Sequence, residues 1–225
     1  MREALRLGPD MIEVDVALSR DREVVVIHDA TLERTTDGTG PVAARTLAEI
    51  RRLDAGSWFD ARVADERVPR LAEILDLCRG RAPLNVEIKA EAVDERVAGG
   101  ASELVIRTVH DHRMADAVLL SSFDPRALLQ ARQVDPDIPR AALLGSRCAG
   151  RSPAEILASV GAVVFGSSVR RMTEGMVREC HDHGALVTVY TVNAPARMRR
   201  LAALGVDGVF SDFPGRLIAA RDATP

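Results

Sequence analysis

Lysine is almost absent from this chain: of its 30 basic residues, all but Lys89 are arginine. A chain that meets nearly every need for positive charge with arginine has a reason to keep one ammonium. A compact cation differs from a guanidinium fork mainly in a tight site. Cysteine is scarce as well. Cys78, Cys148 and Cys180 lie far apart with no Cys-x-x-Cys pair, which argues against a disulfide framework or a zinc site and fits a reducing compartment. No apolar run approaches the roughly 20 residues that a membrane span needs, and no signal-peptide pattern opens the chain. An integral membrane segment is therefore not expected and a cytoplasmic location is; a leader upstream of the given start is left open. No basic run stands out and the net charge is −3, so nucleic acid is not an expected partner. With 47% hydrophobic residues in 225, the composition is that of one globular domain, residues 1–225, with a sizeable core.

What is present is organised around residues 11–29. Two β-branched apolar runs, Ile12–Leu18 and Val24–Ile27, read as short strands around a polar turn at Ser19–Glu23. Glu13 and Asp15 interrupt the first run two residues apart, so both carboxylates point to one face of the strand. Among valines, two carboxylates carry a desolvation and repulsion penalty unless a cation or partner offsets it. His28 closes the second run at its C-terminal end. A solvated polar face would account for Glu13 and Asp15 equally well, and the choice falls to the rest of the chain.

Met1–Leu7 reads as the tail of a helix stopped by Gly8-Pro9. From Asp29 to Pro41 turn formers dominate, and Thr46 with Glu49 makes a capping box for a short helix to about Leu53. The block Ala30–Pro69 is too long for an ordinary connection and is expected to be an insertion over one barrel mouth, with Trp58 packed inside it. Regular alternation then sets in. Helices are expected at Leu71–Arg79, Glu91–His112, Pro125–Gln133, Pro153–Val160, Thr173–Asp182 and Pro195–Leu204. They alternate with strands at Leu84–Lys89, Ala117–Ser121, Arg140–Leu144, Ala162–Phe165, Leu186–Val192 and within 205–211, before a last helix from about Pro214. Near-continuous Val/Ile/Leu strands separated by single helices mark a parallel sheet buried on both faces. The fold class is α/β, a TIM (β/α)8-type barrel one unit short of the usual about 250 residues. The missing unit is the first strand.

The strand Leu84–Lys89 breaks the tie. It puts Glu87 and Lys89 on one face at the C-terminal end, where barrel active sites are built. Glu13, Asp15 and Glu87 converging would offer three oxygen donors, suited to a hard divalent cation, Mg²⁺ or Ca²⁺, rather than zinc. Lys89 beside them adds a fixed positive charge, and cation plus lysine is what a phosphate needs to have developing charge neutralised. His28 is then available for general acid–base work. His110/His112 and His181/His183 lie near helix C-termini, where positive charge is favourable. Residues two apart do not share a helix face, so both pairs read as structural.

These stretches also resemble a known family. Ile-Glu-Val-Asp-Val from Ile12, Val-Val-Ile-His-Asp…Arg-Thr-Thr-Asp-Gly-Thr-Gly through Gly40, and Asn-Val-Glu-Ile-Lys ending at Lys89 look like the glycerophosphodiester phosphodiesterases. So do Ser121-Ser-Phe, Tyr190-Thr-Val-Asn and Gly205-Val-Asp-Gly-Val-Phe-Ser-Asp. The likeness spans almost the whole chain, in the family's order. It implies a barrel hydrolase that cleaves glycerophosphodiesters, small-molecule substrates, to glycerol 3-phosphate and an alcohol. Glu13, Asp15 and Glu87 match that family's metal ligands, His28 its second catalytic histidine, Lys89 its phosphate-side lysine, and the segment after His28 its substrate-capping insert.

Two departures stand out. The family opens with a strand ending in His-Arg-Gly followed by Pro-Glu-Asn-Thr, and its two histidines share acid–base duty. Neither motif occurs here, so the chain as given lacks the first of those histidines and its neighbouring arginine. Turnover by this exact chain is therefore expected to be absent or slower by orders of magnitude. Tyr190, expected to bind substrate, stands where the family usually has a tryptophan lining the glycerol pocket, so the difference bears on alcohol preference. Met1 is expected to be an internal methionine or a mis-assigned start. The alternatives are a shortened barrel that binds metal or glycerophosphodiester without turnover, and a related barrel phospholipase acting on lysolipids. A homo-oligomer is compatible with the sequence.

Overall fold

The computed structural model describes residues 1–223. Helix α1 (Arg2–Leu7) stops at Gly8, whose φ of 74° provides the left-handed cap that Gly-Pro leads one to expect. Strand β1 (Ile12–Leu18) follows, alternately buried and half-buried along its length, as a strand does when one face meets a covering layer and the other an interior. At the turn Ser19 N donates to Glu23 O and Arg22 takes a φ of 66°. The chain returns as β2 (Val24–Val26), antiparallel, with Val16 opposite Val26 and Leu18 opposite Val24.

Residues 30–69 then run as loops, 3₁₀ turns and the four-residue helix α2 (Leu47–Ile50), whose Thr46–Glu49 capping box is formed. Their Leu32, Val42, Ile50 and Val68 form a small apolar cluster with Val25 and Ile27. Beyond them come α3 (Leu71–Cys78), β3 (Leu84–Ile88), α4 (Ala101–Asp111), β4 (Val118–Ser122), α5 (Pro125–Val134) and β5 (Arg140–Leu143). The chain continues with α6 (Pro153–Val160), β6 (Val164–Ser168), α7 (Glu174–Asp182), β7 (Leu186–Tyr190), α8 (Pro195–Ala203), β8 (Gly208–Val209) and α9 (Pro214–Asp222).

The strands form one curled sheet in the order β2-β1-β3-β4-β5-β6-β7-β8, every pairing from β1 onward being parallel. The architecture is a TIM-type barrel, with the interior face of the strands turned inward and helices packed outside. Two apolar layers hold it: one between β1, β3, β4 and helices α3 and α4, the other between β5 to β7 and helices α6 to α8. Among the described residues no ladder joins β8 to β1. Between them lies a cavity of about 1220 Å³, bordered by residues of both strands. No helix among the described residues is long and apolar enough to cross a membrane.

Three expectations need correction. The helix expected over Glu91–His112 is broken: a 3₁₀ turn at Ala90–Ala92 gives way to irregular chain, and α4 begins only at Ala101. Gly99 sits at φ 69°, and a Cβ on Gly100 would lie 2.1 Å from the Arg96 carbonyl oxygen; the Gly-Gly pair closes a tight loop that a helix could not follow. The strand expected at Ala162–Phe165 runs Val164–Ser168 instead, because Gly166 and Ser167 pair with Thr188 and Val189 despite their turn-forming character. Trp58 is not packed away. It is 52% exposed, touching Phe59 edge-on and donating its indole N–H to Ala55 O.

Candidate active site

Parallel register builds the centre of the site. Glu13 lies opposite Asn85 and Asp15 opposite Glu87 across the β1–β3 ladder. Neighbouring strands are about 4.8 Å apart, so residues in register on the same face have no room to diverge. One carboxylate oxygen from each of Glu13, Asp15 and Glu87 comes within 4.8 Å of the others. Lys89, two residues past Glu87, brings its Nζ to 2.9 Å from Glu87 Oε1 and 3.2 Å from Asp15 Oδ1. Three acidic groups thus face one ammonium.

Burial sharpens the imbalance. Glu87 is only 9% exposed. Glu13 Oε1, Glu87 Oε1 and Asn85 Oδ1 are buried without a hydrogen-bond partner among the described residues; the Glu87–Lys89 contact is a close ion pair that lacks the direction of a hydrogen bond. Loss of water, then the nearby Asp15 and Glu87 charges, pushes the Glu13 pKa up to about 8, with Lys89 opposing. Burial raises Glu87 as well, against the pull of Lys89. Burial also costs the Lys89 ammonium hydration, yet Glu87 and Asp15 more than offset this and hold its pKa above the usual lysine value. Three buried acidic groups with a single ammonium among them, crowded at one strand-end, suit a hard divalent cation well.

The remaining expected residues line the same cavity. His28 follows β2 and borders it together with Glu13, Asp15, Glu87, Lys89 and Tyr190. Its Nδ1 lies 2.6 Å from Asp29 Oδ1. Arg34 in turn clamps Asp29, donating from Nε to Oδ2 and from Nη2 to Oδ1 at 2.8 Å. Arg34 first, and His28 second, hold the Asp29 carboxyl well below the usual carboxylate range. With Nδ1 engaged, Nε2 is the ring nitrogen left uncommitted among the described residues. Tyr190, at the end of β7, has its hydroxyl pKa raised by burial and by Glu87. Phe123 and Phe210 stand edge-on to its ring at 5.7 and 6.5 Å, making an aromatic wall.

Sequence reading did not single out Asp29, Arg34, Phe123, Phe210 or Asn85. The signal for Asp29 was its place beside His28, and for the two phenylalanines their place just past β4 and β8. Of the other histidines three pair with carboxylates, His110 with Asp135, His112 with Asp76 and His181 with Asp207, and His183 Nδ1 lies 2.8 Å from the Glu179 backbone carbonyl. Among the described residues the three carboxylates are the one His/Cys/Asp/Glu group with metal-site geometry. The cysteines are buried and unpaired.

The acidic cluster has a measurable cost. A carboxyl whose folded-state pKa is raised keeps the fold's proton longer than the unfolded chain does, so stability falls as pH rises between the two values. For Glu13 that window runs from its ordinary 4.5 to about 8. In EDTA, Glu13→Gln is expected to melt several degrees above the unsubstituted protein at about pH 8.5 and level with it at about pH 4.5, at about 2–4 °C per kcal/mol. Thermal melts across that range check it. A variant that is destabilised at high pH would contradict the strain assigned to the cluster.

The profile of the "Glycerophosphoryl diester phosphodiesterase family" matches residues 1–216. A glycerophosphodiester phosphodiesterase of Bacillus subtilis is 32% identical over 227 residues, spanning 94% of this chain and 76% of the relative. One from Caldanaerobacter subterraneus is 33% identical, spanning 96% and 88%. Among solved structures, a glycerophosphodiester phosphodiesterase from Agrobacterium tumefaciens superposes with a TM-score of 0.82 at 32% identity, over 97% of this chain and 90% of that one. An Oleispira antarctica phosphodiesterase in complex with the product sn-glycerol-3-phosphate gives 0.90 at 29% identity, over 98% and 88%.

Proposed function

The chain belongs to the glycerophosphoryl diester phosphodiesterase family, and from that premise we propose that it hydrolyses glycerophosphodiesters to sn-glycerol 3-phosphate and an alcohol with the help of one divalent metal. The observation that carries the reading is the convergence of three carboxylate oxygens within 4.8 Å of one another, with Lys89 on two of them and His28 on the same cavity. Glu13, Asp15 and Glu87 would hold Mg²⁺ or Ca²⁺, both hard ions that accept all-oxygen ligands. When bound, the ion supplies charge neutralisation at a phosphoryl oxygen. Lys89 contributes a second positive charge at the phosphate, on a stem flexible enough to follow it. His28 would take a proton at Nε2 from the attacking water as its oxygen bonds to phosphorus, and return it to the alcohol oxygen whose P–O bond breaks, its ring aimed by the Asp29–Arg34 pair. Tyr190, Phe123 and Phe210 give the carbon skeleton of the glycerol or the alcohol an apolar surface.

Residues 1–225 serve as one domain, with the segment 30–69 at the mouth of the site. That segment supplies Thr35, Ala55, Trp58 and Arg67 to a second cavity of about 330 Å³, which also touches Glu13, Asp15 and His28. Three buried, unpaired thiols support a reducing compartment such as the cytoplasm. The test is a substrate panel: glycerophosphocholine, glycerophosphoethanolamine, glycerophosphoglycerol and lysolipids, each with Mg²⁺ and with Ca²⁺. Glycerol 3-phosphate is expected from at least one glycerophosphodiester. Its absence from every member, or a cyclic phosphate from the lysolipids alone, would overturn the reading.

A further inference from the structure

Lys89 occupies an unusual position for a residue whose role is to meet a phosphate. Its Nζ lies on Asp15 Oδ1 at 3.2 Å and Glu87 Oε1 at 2.9 Å. All three side chains are withdrawn from solvent, at 17%, 15% and 11% exposure for Lys89, Asp15 and Glu87. A divalent ion gathering Glu13, Asp15 and Glu87 would sit on two carboxylates that the ammonium already contacts through one oxygen each. Two cations sharing one small cluster repel, and in a water-poor site that repulsion is weakly screened. Loading the metal therefore weakens the hold of Asp15 and Glu87 on Lys89 and favours its release from them. Once released, the ammonium is left buried and short of a partner, unless an anion enters beside it.

We propose that Lys89 is the counter-cation of the metal-free site, and that its handover from carboxylate to phosphate makes metal and phosphate anion bind cooperatively. The inference rests on the metal reading of the preceding subsection and adds an order of events to it. It also gives a reason for the single lysine. An ammonium is compact enough to sit between two carboxylates and mobile enough to leave them, whereas a guanidinium fork prefers to stay locked on a carboxylate. Coupling is reciprocal: whatever factor the anion adds to metal affinity, the metal adds to anion affinity.

Calorimetric titration of the full chain with Mg²⁺ and with Ca²⁺, with and without sn-glycerol 3-phosphate, reads this without turnover. Running each titration in two buffers of different ionisation enthalpy gives the protons released, so affinities are compared after correction for them. In the unsubstituted protein glycerol 3-phosphate is expected to tighten the metal about 10-fold, a typical coupling. Lys89→Met is expected to bind the metal about 10-fold tighter than the unsubstituted protein when no anion is present, with a smaller gain on adding the anion. Lys89→Gln should repeat this if the methionine variant folds poorly by circular dichroism. Lys89→Arg, which keeps the charge, should bind the metal no tighter than the unsubstituted protein. Equal or weaker metal binding by the neutral variants, or metal affinity indifferent to the anion, would overturn the handover while leaving the metal site standing. No metal binding by the unsubstituted protein would overturn both.

Discussion

Glu87→Gln is expected to lower glycerol 3-phosphate release by about 10²–10³-fold, the range for losing one preorganised group that stabilises transition-state charge. Metal affinity should fall with it. The substitution is nearly isosteric, and it removes a half-neutralised charge from a position 9% exposed, so the fold is not expected to suffer. Indeed the repulsion that raises Glu13 would ease, since Glu87 is one of its causes. Loss of activity with a retained or raised melting temperature therefore separates a ligand from a packing residue. Calorimetry with Mg²⁺ or Ca²⁺ gives the second reading: unchanged affinity would remove Glu87 from the ligand set.

His28→Gln has the other large expected effect, a fall in turnover of about 10²–10⁴-fold, the span for removal of a general acid or base. Metal affinity should stay level, because the imidazole is outside the group of three converging carboxylates. Asp29→Asn is expected to act on the same step through a smaller fall. The asparagine weakens the tie to Nδ1, 2.6 Å away, and loses the charge that Arg34 clamps. It should move the pH profile of turnover more than the Michaelis constant, which a merely structural role would not do. A His28 variant that lost its metal instead of its rate would place the imidazole in the ligand set and contradict this division of labour.

Much of the site's arrangement can be traced to spacing. Glu13 with Asp15, and Glu87 with Lys89, are each two apart on a strand, and period two alone puts each pair on one face. That the two pairs would meet could not be read from either strand, because the register of Asp15 against Glu87 is set by how β1 and β3 pack. Asp29 and Arg34 illustrate the same limit at shorter range. Four residues of loop bring the guanidinium back onto the carboxylate, and loop geometry carries no periodic signal. The break before α4 was visible as Gly99-Gly100, but the polar, helix-forming residues on either side masked it. Trp58 stays exposed for a simpler reason. Size and hydrophobicity favour burial on average, while the irregular segment that carries it has too little apolar volume to enclose an indole.

The central claim is that the three carboxylates act through a divalent ion on a glycerophosphodiester. It is tested most directly by following glycerol 3-phosphate release from glycerophosphocholine before EDTA, after EDTA, and after Mg²⁺ or Ca²⁺ is restored. Release that stops with the chelator and returns with one of the two ions is the expected result. Undiminished release in EDTA would contradict the account.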